Sequence, residues 1–147
     1  MTRRPAPRRE SRRLALQVLY ASDVGGRGAE GPAPDGAFDA VAANFDLHPG
    51  ALAFAKELVH GTLAERDAID RCIAAHASHW RVERMAAVDR NLLRLAVHEL
   101  FRTDTPAQVV INEAVELARD FGGERSPSFV NGVLDAVARG RDAGEEL

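Results

Sequence analysis

Two sets of residues in this chain have types and spacing that could do chemistry. Arg3, Arg4, Arg8, Arg9, Arg12 and Arg13 crowd the first thirteen positions against one acid, Glu10. Guanidinium forks bind phosphate oxygens two at a time and stack on planar bases. Phe121 and Phe129 flank Gly122-Gly123, and an exposed aromatic there could stack on an unpaired nucleobase. Each set also has a plainer reading. The arginine run can be a solvated, frayed helix end. Phe121 closes an apolar stripe, which favours core burial over stacking; for Phe129 the two readings balance.

No catalytic constellation emerges. Cys72, His76 and His79 are spaced i, i+4, i+7 and could bring three metal ligands to one helical face. A helix edge with ordinary polar residues and a small thiol explains them better, because neither a fourth ligand nor supporting partners are apparent. Gly25-Gly26-Arg27-Gly28 lies in a linker rather than between a strand and a helix, so it is not a dinucleotide site. His98 and Glu99 are sequence neighbours, which point apart on a helix. Glu113 with Glu116, and Asp67 with Asp70, read as solvated faces. The expectation is a protein with no catalytic residues, no metal and no cofactor, and therefore not an enzyme.

Composition narrows the class. A chain of 147 residues with 46% hydrophobic content is large enough for one domain with its own core. Aromatic residues make up only 5%, so that core must be built from Leu, Val and Ala, which favours helices. Cys72 is the single cysteine, which rules out an intramolecular disulfide. No run of about 18 apolar residues offers a membrane span, and the arginine-rich start lacks the apolar core of a secretory signal. A cytoplasmic location is expected. The formal net charge is −3 although the first residues are strongly cationic, so the body is acidic. A basic end on an acidic body suits two kinds of partner.

The elements that must position these residues are punctuated clearly. Arg8 to Ser22 reads as a first helix, with Leu14, Ala15, Val18 and Leu19 inward and the arginines in its first turns. Cations at that end oppose the helix dipole, which calls for a functional reason. Residues 24–36, rich in glycine with Pro32 and Pro34, read as a flexible loop. A short helix over Ala37–Asp46 should turn Phe38, Val41, Ala42 and Phe45 inward. Pro49 opens a helix expected to run to Ala77 with a bend near Gly61. Trp80 reads as a structural plug between two halves, followed by a short helix near Val82–Met85. Ala87–Arg102 carries apolar residues over most of its circumference and should be the most buried helix.

The last helix pair runs from Ile111 to Val137. Ile111, Ala114, Val115, Ala118 and Phe121 form one stripe; Phe129, Val130, Val133, Leu134 and Val137 form the second. Gly122-Gly123 is expected to stop the first helix through positive φ. Ser126 and Pro127 read as an N-cap and a first-turn proline. Residues after Gly140 are expected to fray.

Three stretches together carry a family resemblance: RRESRRLALQVLYASD at Arg8–Asp23, VDRNLLRLAVHEL at Val88–Leu100, and INEAVELARDFG with SPSFVNGVLD across Ile111–Asp135. In this order and spacing they resemble the NusB family of bacterial transcription antitermination factors. The resemblance implies an all-α, NusB-like bundle of about seven helices, two three-helix subdomains around a buried central helix. A single domain over 1–147 would divide into subdomains 1–80 and 81–147. It also implies binding of the boxA element of nascent ribosomal RNA transcripts, jointly with NusE, a ribosomal protein. NusA, NusG and RNA polymerase would complete the assembly.

By matching position, the implied RNA contacts are Arg8, Arg9, Arg12, Arg13, Gln17, Tyr20, Arg94, Phe121, Arg125, Phe129 and Asn131. The implied NusE contacts are Asp89 and, more weakly matched, Glu83. Glu10 interrupts the arginine run, and Arg125 stands where an acid or polar residue is common. On this reading the cationic helix and the Phe-bearing turn form one groove for unpaired nucleotides. The alternatives are a protein-interaction adaptor that uses its acidic face, a homodimer that hides the RNA face, and a fragment of an RNA cytosine methyltransferase. The last is disfavoured because no nucleotide-binding α/β domain follows.

Overall fold

The computed structural model describes residues 7–25 and 34–147. Among these the chain is all-α. The helices are α1 (Pro7–Gly25), α2 (Pro34–Ala42), α3 (Pro49–Ala64), α4 (Arg66–His76), α5 (Ala87–Arg102), α6 (Ala107–Phe121) and α7 (Ser126–Asp142), with a 3₁₀ turn at Val82–Arg84. The chain divides into two compact units, Met1–Gly61 and Thr62–Leu147, with the division in the last turn of α3.

In the first unit, α1 packs on α2, and Leu14, Ala15, Val18 and Leu19 are buried together with Leu16. Ser11 donates its hydroxyl to the Ala51 carbonyl across 2.8 Å, which ties α1 to α3. That bond satisfies a fully buried hydroxyl that would otherwise be costly to desolvate. α2 covers less than expected: it ends at Ala42, and of the four residues read as inward only Phe38 is buried. Of the expected 24–36 loop, residues 24–25 end α1 and residues 34–36 begin α2; the rest lies outside the described residues.

The second unit is built around α5, which packs against α4, α6 and α7. Every residue from Asn91 to Leu100 is buried. Leu92, Leu93, Leu95, Ala96, Val97 and Leu100 supply its apolar mass. α6 turns Val110, Ile111, Ala114, Leu117 and Ala118 inward, and α7 turns Val130, Val133, Leu134 and Val137 inward. These are largely the stripes the spacing predicts; Val115, Phe121 and Phe129 sit at their half-buried margins.

Four local expectations are corrected. The long third helix breaks into α3 and α4, and the break is at Glu65 (φ −116°, ψ 22°), not at Gly61. The Glu65 carboxylate there accepts two bonds from Arg102, at 2.8 and 2.7 Å, which a continuous periodicity in sequence does not reveal. Gly122 does not adopt positive φ; its backbone is extended (φ −93°, ψ −174°). Its missing Cβ matters for space instead, since a Cβ would lie 2.6 Å from Ser126 Oγ and 2.8 Å from the Ala118 carbonyl. Ser126 is inside α7, whose N-cap is Arg125. The Ser126 hydroxyl reaches backwards and accepts the Gly123 N–H at 2.9 Å, pinning the turn. The chain after Gly140 is folded: α7 runs to Asp142, and Glu145 returns to contact α4.

Candidate functional site

Each unit contributes one surface of interest. On the first, Arg8 and Arg9 are exposed in the opening turns of α1, and Tyr20 is exposed about three turns on. The Arg8 guanidinium lies 4.8 Å from the centre of the Phe54 ring. That cation–π contact orients the side chain without neutralising it. Arg13 is partly exposed and lies 3.8 Å from Glu10, an i, i+3 pair at the surface. Gln17 is half-buried on the same helix.

Arg12 is different, being only 4% exposed. It belongs to the interior of the fold, which the arginine spacing does not disclose.

On the second unit the α6–α7 turn and the segment before α5 form an open groove of about 850 Å³. Trp80, Met85, Asp89, Arg125, Ser128 and Phe129 are among the residues that line it. Trp80 is 57% exposed, which corrects the expectation of a buried plug. Its ring meets Phe129 edge-on, with centroids 5.4 Å apart and planes 63° from parallel. This geometry suits the quadrupoles of both rings and leaves apolar surface facing solvent. Asp89 adds an acceptor: its Oδ1 is buried and makes no hydrogen bond among the described residues. Arg125 and Asn131 are exposed at the start of α7, Phe121 is half-buried at the end of α6, and Glu83 is exposed on the 3₁₀ turn.

That turn is held firmly. Arg90 Nη1 donates to the carbonyls of Met85 at 3.1 Å and Val82 at 3.4 Å. One arginine of the central helix thereby fixes the segment that carries Trp80 and Glu83. Sequence reasoning missed Trp80 as a surface residue. The available signal was its place in a break, with a charged 3₁₀ turn behind it rather than an apolar stripe.

Arg94, like Arg12, is buried. It is 8% exposed, and its Nε and Nη2 donate to both oxygens of Asp70 at 2.7 and 2.9 Å. Its Nη1 also reaches Asn91 Oδ1 at 3.3 Å. A buried cation must be paired to be tolerated, and Asp70 pairs this one. Asp70 is therefore not part of a merely solvated face. The Cys72, His76, His79 spacing also dissolves: α4 ends at His76, and His79 sits beyond it with φ +71°. Burial holds the His98 imidazole below its usual pKa, against the pull of Glu99 and Glu65. Its Nδ1 has no partner among the described residues.

An exposed cationic helix end and an open aromatic groove, each on an all-helical unit, are surfaces of the kind a helical binding protein presents. Residues 9–139 match the NusB family. The chain is 50% identical to the transcription antitermination protein NusB of Geotalea daltonii, over 89% of this chain and 93% of that one. Its fold is similar to T. maritima NusB (TM-score 0.81, 31% identity, 92% and 93% covered). It is also similar to NusB in a structure of antitermination factors NusB and NusE with dsRNA (TM-score 0.78, 31% identity, 90% and 96% covered). The chain belongs to the NusB family.

Proposed function

We propose that this chain is a non-enzymatic, cytoplasmic transcription antitermination factor. It binds the boxA element of nascent ribosomal RNA transcripts together with NusE, within an assembly containing NusA, NusG and RNA polymerase. The observation that carries the reading is the exposed arginine end of α1 on an otherwise acidic chain. Its location fits the lack, among the described residues, of any helix long and apolar enough to cross a membrane.

In this reading Arg8, Arg9 and Arg13 bind phosphate, with Gln17 and Tyr20 adding contacts along α1. On the second unit Arg125 and Asn131 contact the strand, and Phe121 and Phe129 accept unpaired bases. Arg12 and Arg94 are left out of this set because they are buried; they support the elements that carry it. Asp89, on the rim of the groove, and the exposed Glu83 receive basic groups of NusE.

The test is a titration of labelled single-stranded boxA RNA, with and without NusE, against wild type and Phe129→Ala. Loss of one stacked base should weaken binding about tenfold. Equal affinity of the two proteins would remove Phe129 from the interface. No RNA binding by wild type, even with NusE present, would leave the chain as a protein-interaction adaptor.

A further inference from the structure

Arg13 and Arg8 stand at the same helix end and meet different partners. Arg13 lies 3.8 Å from the Glu10 carboxylate. Arg8 lies instead over the Phe54 ring of α3, its Cζ 4.8 Å from the ring centre. The register of the two helices puts the ring there. Ser11, one turn after Arg8, donates its buried hydroxyl to the carbonyl of Ala51, one turn before Phe54. The Ala51 peptide is held from its other side as well, because its N–H donates to His48 Nδ1 at 3.2 Å. Residues three apart share a helix face, so Arg8 with Phe54 and Ser11 with Ala51 are two successive rungs of one contact between α1 and α3.

The kind of partner matters for charge. A cation in the first turns of a helix is disfavoured by the helix dipole, so Arg8 needs compensation. A carboxylate would supply it and cancel the charge. An aromatic face supplies it through its quadrupole and leaves the charge in place. A guanidinium resting on a ring face does not spend its N–H donors there, so they stay available to a phosphate. Arg8 is exposed and Phe54 half-buried, so the ring is anchored while the cation faces solvent.

We propose that Phe54 is a positioning residue for RNA: it holds the Arg8 guanidinium outward at the start of α1, ordered before a phosphate arrives. This role rests on the function proposed above, in which Arg8 binds phosphate. An arginine side chain loses rotamer freedom when it binds. A ring that has already ordered it removes part of that cost from association.

The test titrates labelled single-stranded boxA RNA into the full chain with NusE present. Phe54→Leu and Phe54→Met keep apolar bulk and remove the ring; Phe54→Tyr keeps the ring. The two ringless variants should bind about fivefold more weakly, the scale of ordering one long side chain, and Phe54→Tyr should restore wild-type binding. In an Arg8→Ala background the ringless replacements should have no further effect, because the two residues act through one contact. Wild-type affinity in the ringless variants would overturn the role of Phe54 and leave the RNA reading intact. So would an equal loss with and without Arg8, since Phe54 would then support only the fold. Failure of wild type to bind, or Arg8→Ala binding as wild type does, would instead remove Arg8 as a phosphate ligand, and the role of Phe54 with it. One check needs no variant. In the RNA-free protein the Arg8 side-chain protons should be shifted upfield by the ring current, and random-coil shifts there would overturn the proposal.

Discussion

The opening turns of α1 and the middle of α5 both carry arginines that the family resemblance implies as RNA contacts, yet the two helices treat them in opposite ways. α1 leaves Arg8 and Arg9 in solvent, with Arg8 resting on the Phe54 ring. α5 takes Arg94 into the unit's interior and binds it through both oxygens of Asp70. An exposed guanidinium keeps its capacity for phosphate. A buried one with a carboxylate partner has already spent that capacity on the fold. Arg12, four residues beyond Arg8, falls on the buried side of the same divide.

The largest effect expected from this contrast is on stability. Arg94→Ala should cost about 3 kcal/mol in urea unfolding, because it strands the Asp70 carboxylate. Replacing both partners, as Asp70→Leu with Arg94→Met, should bring stability back to within about 1 kcal/mol of wild type. An Arg94→Ala variant as stable as wild type would show that the pair does not hold the second unit together.

The difference between the two arginine sets was not legible in the sequence, and the reason is physical. Helical spacing tells which residues share a face, but not which faces meet a carboxylate from another helix. Asp70 lies 24 positions from Arg94 and on a different element. Apolar periodicity works better because it needs no named partner. It anticipated the ends of α5 at Ala87 and Arg102, the six buried apolar residues within it, and most of the inward faces of α6 and α7; the burial of Asn91, Arg94, His98 and Glu99 it did not. It failed at local breaks. The break at Glu65 coincides with a carboxylate bound by Arg102, and the reversal after Gly140 turns at Gly144 with positive φ. Trp80 misled because a large aromatic invites burial, whereas here it stands over a groove with Phe129 as a ring neighbour. Of the candidate site, the arginine end and the Phe-bearing turn could be read from residue types. The groove with its unfilled Asp89 oxygen could not, since it requires the 3₁₀ turn and the start of α7 to be placed together.

A smaller effect sharpens the contrast where no charge is involved. Gly122→Ala places a Cβ against Ser126 Oγ and the Ala118 carbonyl, so the α6–α7 turn must shift. Overpacking of this kind should cost about 2 kcal/mol and lower the melting temperature by several degrees. Gly123→Ala meets only Ser126 Oγ, at an ordinary 3.9 Å, and should be much milder. Equal melting temperatures for the two variants would mean that the turn is not set by space at Gly122.

The most direct measurement is the salt dependence of RNA binding, taken side by side for wild type, Arg8→Ala/Arg9→Ala and the refolded-core variant Asp70→Leu/Arg94→Met. If the α1 arginines neutralise phosphates and Arg94 does not, the double α1 variant should lose about 1.4 from the magnitude of the log–log slope on single-stranded RNA. The core variant should keep the wild-type slope. An unchanged slope without Arg8 and Arg9, or a reduced one without Arg94, would contradict the account.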